Sequence, residues 1–407
     1  MTATGPAKPQ DAEARRASAF VFLKANELAL LIALAAVVLF TVLMDRNHTY
    51  YYEPQLSLEM NCRRIAPLGI VALGAAVVII AGGIDLSAGA VIAFSSTICG
   101  LLMMGMAPEA FEADRSVGAG VLTVVVLSTV VVGLLIGTLH AWMITTLRLP
   151  PFVVTLGSLV GLRSVARALL FFVIKSEDRS FTQPFFKLLK DRVEIPMIVM
   201  VVAAIATWII LQRTVLGRHL YALGGNEQAA RLSGIRTENV KWFAYCFSAV
   251  TASIAGLFFL PESSLKPGTV AAGYELNAIA AAVVGGCSLQ GGIGTVQGTL
   301  LGAIFLRAVI DSVAKVVKAS SDVYEGMIVG TIVVLAVTFS QIREIRMSGR
   351  RLFDGALGLC AIPAMVVLAG LVSVITLGWT TGWAVTTAAL IFLAGVYMWE
   401  SSRSGRH

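Results

Sequence analysis

The sequence predicts an all-α, polytopic membrane protein, and three observations carry that expectation. Hydrophobic residues make up 57% of the 407 and charged ones 14%, against roughly a quarter charged in soluble domains. Apolar stretches near the length of about 20 residues that crosses a bilayer recur along the chain. The Lys and Arg residues fall mainly between those stretches, as membrane topology requires. A net charge of +7 would suggest nucleic acid in a soluble chain. Here it is loop charge, and no nucleic-acid partner is expected.

Residues 1–25 are polar and carry Lys8, Arg15, Arg16 and Lys24 with no small-residue cleavage pattern, which reads as a retained cytoplasmic tail. Ten candidate spans precede residue 342: 26–44, 64–82, 86–106, 117–144, 152–174, 195–212, 240–260, 272–286, 293–312 and 325–341. Two more lie near 355–377 and 380–399. Counted from a cytoplasmic N-terminus, the loop after the sixth span lies inside, as do Arg343, Arg346, Arg350 and Arg351 after the tenth, in accord with the positive-inside rule. The turn with Glu109, Glu112 and Asp114 and the mixed-charge loop from Lys175 to Glu194 lie outside.

The loop after the sixth span, Gly217–Lys241, reads GRHLYALGGNEQAARLSGIRTENVK. Asn226 is a good N-cap, Glu227 puts negative charge in the first turn, Ala229 and Ala230 propagate a helix, and Gly234 can close it in the left-handed conformation. Gly224 and Gly225 ahead of it permit a sharp entry. A two-turn surface helix flanked by Arg218, Arg231, Arg236 and Lys241 suits a soluble partner.

The second and third spans are interrupted at GGIDLSAGA, where Gly82 and Gly83 precede Asp85 and Ser87. A similar break occurs at GGCSLQGGIGTVQG, with Gly285, Gly286 and Ser288. Broken membrane helices are tolerated where the backbone is shielded by protein or lines a cavity, and an intramembrane acid needs the same setting. The breaks are six spans apart, so they are expected to point the same way, as parallel elements. Asp85 has two readings: it caps the start of the third span, which is favoured, or it lines a polar path. The small residues Gly291, Gly292, Gly294, Gly298 and Gly302 suit close helix packing, and Pro150 and Pro151 set a helix start. Arg163 and Arg167 lie on one helix face, and the favoured reading has both snorkel to outer water. Glu275 and Asn277 are expected to cap the eighth span.

The loop pattern GGN-x-x-AARLSGI resembles the cytoplasmic coupling loop in permease subunits of bacterial ribose-type sugar ABC importers. GGIDLS, the second glycine-rich break and RLPPFVVTLGSL at Arg148–Leu159 match further hallmarks of that family, in its order, from Met60 to about Gln341. The resemblance implies a ten-span ABC-importer permease core over 26–345, with the coupling loop at 213–239, in the bacterial inner membrane. Residues 346–407 lie beyond it and are expected to form an extra two-span hairpin with Trp379 and Trp383 in an interfacial turn. The residues implied for ATPase coupling are Gly224, Gly225, Asn226, Glu227, Ala229, Ala230, Arg231, Leu232, Ser233 and Gly234. Those implied at the translocation path are Gly82, Gly83, Asp85, Ser87, Gly285, Gly286 and Ser288. Implied partners are cytoplasmic ATPase subunits that hold ATP and Mg²⁺, a periplasmic or surface solute-binding protein, a second permease copy or paralogue, and membrane lipid.

No chemistry of its own is assigned to the chain. GGIGTVQG fails G-x-G-x-x-G because Gln297 takes the third glycine position, and no G-x-x-x-x-G-K-[ST] occurs, so neither nucleotide motif is present. His48, His140, His219 and His407 do not cluster, and Cys62, Cys99, Cys246, Cys287 and Cys360 show no C-x-x-C spacing. No cofactor, metal site or catalysis is expected. The rival class is a secondary transporter driven by an ion gradient, which broken helices and an intramembrane Asp85 would also suit.

Overall fold

The computed structural model describes residues 25–45, 48–109, 117–176, 192–259, 270–317 and 325–332, with scattered positions between 334 and 395. The chain divides into two compact units, Met1–Val333 and Val334–His407. Among the described residues every regular element is a helix. In order these are α1 (Ala25–Met44), α2 (Thr49–Tyr52), α3 (Pro54–Ile80), α4 (Ala88–Met106), α5 (Ala119–Thr145) and α6 (Pro151–Ser176). They continue with α7 (Glu194–Arg213), α8 (Val215–Gly225), α9 (Glu227–Leu232), α10 (Thr237–Phe258), α11 (Tyr274–Val284) and α12 (Val296–Val317).

Seven of these, α1, α3, α4, α5, α6, α7 and α10, are long and apolar enough to cross a membrane, and they match the first seven expected spans. α3 starts earlier than the expected 64, at Pro54, because its first turns are polar and a hydropathy reading passes over them. The eighth candidate is α11, which at 11 residues is too short to cross alone. The ninth is α12, 22 residues long but carrying Arg307, Asp311 and Lys315. The tenth is described as helix only at 325–332. The tail 1–24, residues 110–116 and 177–191 of the two loops expected outside, and most of the expected C-terminal hairpin lie outside the described residues. In the second unit Trp379 and Trp383 are helical, not in a turn, and their exposed rings meet edge to face at 5.9 Å.

The core of the first unit is α3. Every residue from Ala66 to Ile80 is buried, because α7, α10, α11 and α12 all pack on it. Small residues allow that approach, as they do between membrane helices generally. A Cβ on Gly74 would lie 2.1 Å from Thr251 Oγ1 of α10, and one on Gly137 of α5 would lie 2.5 Å from Cys246 Cα on α10's other side. Large apolar side chains on α1, α5, α6 and α7 stay exposed, including Phe40, Leu135, Val160 and Ile198, which is the pattern of lipid-facing surface.

Polar contacts fasten the helix ends. Tyr50 of α2 donates to the Asp311 carboxylate of α12, which also accepts from Lys315 Nζ at 2.9 Å and from Asn61 Nδ2 of α3 at 3.2 Å. Burial, and then the Asp311 carboxylate, push the Tyr50 phenol above its ordinary pKa, so it stays a neutral donor. Along α1, Thr41 Oγ1 donates to Ser312 Oγ at 2.7 Å, and Thr295 Oγ1 reaches Glu27 Oε1 at 3.0 Å, fixing α1 against α12.

Candidate functional site

The Gly217–Lys241 segment forms two helices where one was expected. Thr214 caps α8 by accepting from the Gly217 N–H at 3.1 Å, and Leu220 and Leu223 bury its inner face. Gly224 and Gly225 therefore lie inside α8, not in an open loop, and the chain turns at Asn226. There the expected cap is present: Asn226 Oδ1 accepts from the Ala229 N–H at 2.9 Å. The helix α9 ends in a Schellman arrangement, with Gly234 at φ +83° and its N–H on Arg231 O, and the Ile235 N–H on Ala230 O.

Three ion pairs hold α9 to itself and to α10: Lys241 Nζ to Glu227 Oε1 at 2.7 Å, Arg231 to Glu238 at 3.1 Å, and Arg231 to Glu227 at 3.4 Å. Of the residues implied for ATPase coupling, Ala230 is buried, 4% exposed, and belongs to the inner face. The outward face is Gln228, Ala229, Leu232 and Ser233. Leu232 is 90% exposed, the highest value among the described large hydrophobic residues.

Both helix breaks come to this loop. The first follows α3 and the second follows α11, and they meet at the loop's glycines. A Cβ on Gly224 would lie 1.9 Å from Ile80 O and 2.5 Å from Gly292 N; one on Gly291 would lie 2.9 Å from both Gly224 Cα and Gly82 Cα. The Gly292 N–H donates to Ile80 O at 2.9 Å, joining one break to the other. Tyr221 of α8, a neutral phenol that burial raises above its usual pKa, donates to Gly294 O at 2.9 Å. The two breaks thus lie against each other and against the end of α8. Gly285 and Gly298 touch backbone to backbone, as do Gly302 and Ala281, which is the close packing expected of that run. Gly286 takes φ +95°, and Ser288 N–H closes the second break on Ile293 O at 3.0 Å.

From Gly82 the first break runs inward. Gly83 lies against the Tyr245 hydroxyl. Asp85 is 3% exposed; its Oδ1 accepts from the Ser87 N–H at 2.8 Å and Ser87 Oγ at 2.6 Å, and its Oδ2 accepts from Ser248 Oγ of α10 at 2.7 Å. The carboxylate holds Ser87, the N-cap residue of α4, which itself makes no side-chain cap bond, so Asp85 does not cap the first turn of α4; it ties the entry to that helix to α10.

Two expectations fail nearby. Glu275 and Asn277 do not cap α11, whose N-cap is Gly273 with no side-chain bond. Glu275 instead faces Arg163 of α6 at 3.6 Å, with both side chains about nine-tenths buried, and Arg163 also donates to Ala271 O at 3.3 Å. Arg163 thus turns into the protein, while Arg167, a turn later, is exposed as expected. The reason is room: Gly89 lacks a side chain where the pair sits, and a Cβ there would lie 2.0 Å from Glu275 Oε2. Asn277 Nδ2 donates to Glu325 at 2.6 Å, and Glu325 pairs with buried Arg307 at 3.8 Å.

The family model described as branched-chain amino acid transport system / permease component matches residues 57–337. The chain belongs to that permease family. A probable ABC transporter permease protein from Sinorhizobium fredii is 32% identical over 286 residues, covering 69% of this chain and 80% of the relative. The ribose import permease of Bacillus subtilis is 31% identical over 304 residues, 70% and 85% of the two chains. The autoinducer 2 import system permease of Photorhabdus luminescens is 31% identical over 281 residues, 68% and 79%. No solved structure gives a significant match. With its apolar helices the permease is a multi-pass inner-membrane protein and a transporter component.

Sequence reasoning about this permease missed α8, although Leu216, Leu220 and Leu223 at helical spacing behind Thr214 signal it. It also missed Ser248 and Tyr221, ordinary residues whose roles depend on what folds against them. His140 stood alone in the sequence and is fully buried with Nε2 2.7 Å from Ser158 Oγ, joining α5 to α6.

The Arg163–Glu275 pair gives a direct prediction. Glu275 Oε2 makes no hydrogen bond and is held by the ion pair alone, so Arg163→Met should cost about 3–5 kcal/mol, the usual penalty for orphaning a buried charge. The double variant Arg163→Met/Glu275→Gln should recover most of the lost thermal stability in detergent. Equal melting of single and double variants would show that the two side chains are not coupled.

Proposed function

We propose that this chain is the permease subunit of an ATP-driven, binding-protein-dependent importer for a pentose, a hexose or a related small polar solute. The observation that carries the reading is Leu232, an apolar side chain 90% exposed on a helix capped at both ends and strapped to α10. Such a rigid, solvent-facing anchor beside Ala229 suits insertion into a groove on a soluble partner. The partner is a pair of cytoplasmic ABC ATPase subunits, which hold the ATP and Mg²⁺. The permease itself binds no cofactor. A second permease copy or paralogue completes the membrane portion, and a periplasmic or surface binding protein delivers the solute. The names of the ribose and autoinducer 2 relatives support the solute class.

In this mechanism nucleotide-driven closure of the ATPases moves α9, and the permease alternates between inward-open and outward-open arrangements. Residues 26–345 do this work, with 213–239 as the coupling loop, and 346–407 are not required for it. The path runs by the two breaks, with Asp85 as the strut that holds one of them.

Ala229→Glu and Leu232→Asp, both on the outward face, should leave insertion intact and abolish ATPase association and uptake, as read by co-purification and by transport in vesicles. If either variant binds the ATPase and drives uptake at the wild-type level, the docking assignment is wrong. Collapse of the proton and sodium gradients should leave ATP-driven uptake in place; loss of uptake would favour the ion-gradient carrier instead. A chain ending after Ser348 should insert, assemble and transport. Assembly without transport would place the hairpin in the mechanism.

A further inference from the structure

The junction of the coupling loop with the two breaks has a mechanical consequence, which rests on the docking role proposed for α9. Force on α9 has two routes into the bundle. One runs through Asn226 to Gly224, whose backbone bears on Ile80 at the end of α3 and on Gly291 and Gly292 of the second break. The other runs through the Lys241–Glu227 and Arg231–Glu238 pairs into α10, where Ser248 holds Asp85. The first break is therefore gripped at both ends: Gly82 against the loop, Asp85 against α10. The second is gripped by Gly224 and by the Tyr221 hydroxyl on Gly294 O.

We propose that Gly224 is the positioning residue through which the coupling loop drives both helix breaks together, by backbone contact that no side chain can replace. Bare backbone suits this task because interfaces without intervening rotamers have no soft side-chain freedom to absorb a displacement. The Gly292 N–H to Ile80 O bond keeps the breaks in register with each other, so they shift as one unit. Gly225, the next residue, is different: a Cβ there meets nothing within 4 Å. Its backbone also lies against the second break, since a Cβ on Gly292 would lie 2.9 Å from Gly225 N and 3.0 Å from Gly225 Cα. The paired glycines therefore differ in which of them tolerates a side chain: one at Gly224 enters the junction, and one at Gly225 does not.

The test uses the full permease with its ATPase subunits in liposomes. Cys287, buried in the second break 3.6 Å from Thr299 Oγ1, is the reporter, and its alkylation by a membrane-permeant maleimide is read by peptide mass spectrometry with and without ATP and vanadate. In wild type the alkylation rate should change with nucleotide. In complexes matched for the amount of bound ATPase, Gly224→Ala should reduce that response about ten-fold, within the usual range of coupling between sites; Gly225→Ala should give the wild-type response.

An undiminished response in Gly224→Ala, or an equal loss in Gly225→Ala, overturns the proposal. So does a wild-type Cys287 indifferent to nucleotide in a complex that hydrolyses ATP, a result that leaves docking standing. Failure of the wild-type ATPase to associate removes the docking reading and this proposal with it. Should Gly224→Ala not accumulate in the membrane, Tyr221→Phe, which deletes one hydrogen bond, is read in the same way. A weakened response supports the grip on the second break, and an unchanged response overturns it.

Discussion

Three stretches of backbone meet without side chains between them, and the arrangement of the permease depends on that contact. Gly82, Gly224 and Gly291 come from the end of α3, the end of α8 and the turn after α11, segments far apart in the chain. Any larger residue at Gly224 would overlap Ile80 O, so the loop and the breaks could not close on one another. Gly82 and Gly291 also take φ +81° and +90°, a region that L side chains rarely adopt. One residue type therefore satisfies two demands: the turn of each break and the approach of the loop.

Charge at membrane depth is handled by a different rule. Asp85 is held by three hydrogen bonds, Glu275 by Arg163, and Arg307 by Glu325, so each buried ionised group meets a partner from another element. Such groups are costly in a bilayer when alone. Pairing them across α4, α6, α10, α11 and α12 makes the charges into fasteners between helices that apolar packing alone would leave free to slide. The short α11 depends on this most. Its 11 residues cannot cross the membrane alone, and its first turn carries both Glu275 and Asn277, which reach toward opposite neighbours.

Much of this was legible in the sequence. Seven spans followed from apolar length, and α9 followed from Asn226, Glu227 and Gly234, because caps are local chemistry written within a few residues. The breaks followed from paired glycines beside a polar residue. What was not legible depends on the third dimension. The inward face of Ala230 looks no different in sequence from the outward face of Ala229, since two small residues carry no sign of which side α10 covers. Arg163 read as a snorkelling residue because nothing in α6 reveals that Gly89 of α4 leaves space for a Glu275 partner. The expected caps at Glu275 and Asn277 failed for the same reason: local signals favour the helix end, and tertiary partners took the side chains instead.

In the proposed mechanism the coupling loop and the two breaks move as one body. Hydrogen–deuterium exchange on the assembled transporter tests it most directly, by following peptides that cover 78–92, 218–240 and 284–299 as ATP and vanadate are added. Exchange should change in all three segments together, with the Gly292 amide protected in every state because its bond to Ile80 O travels with the unit. A change confined to 218–240, with both break segments unaltered, would contradict it.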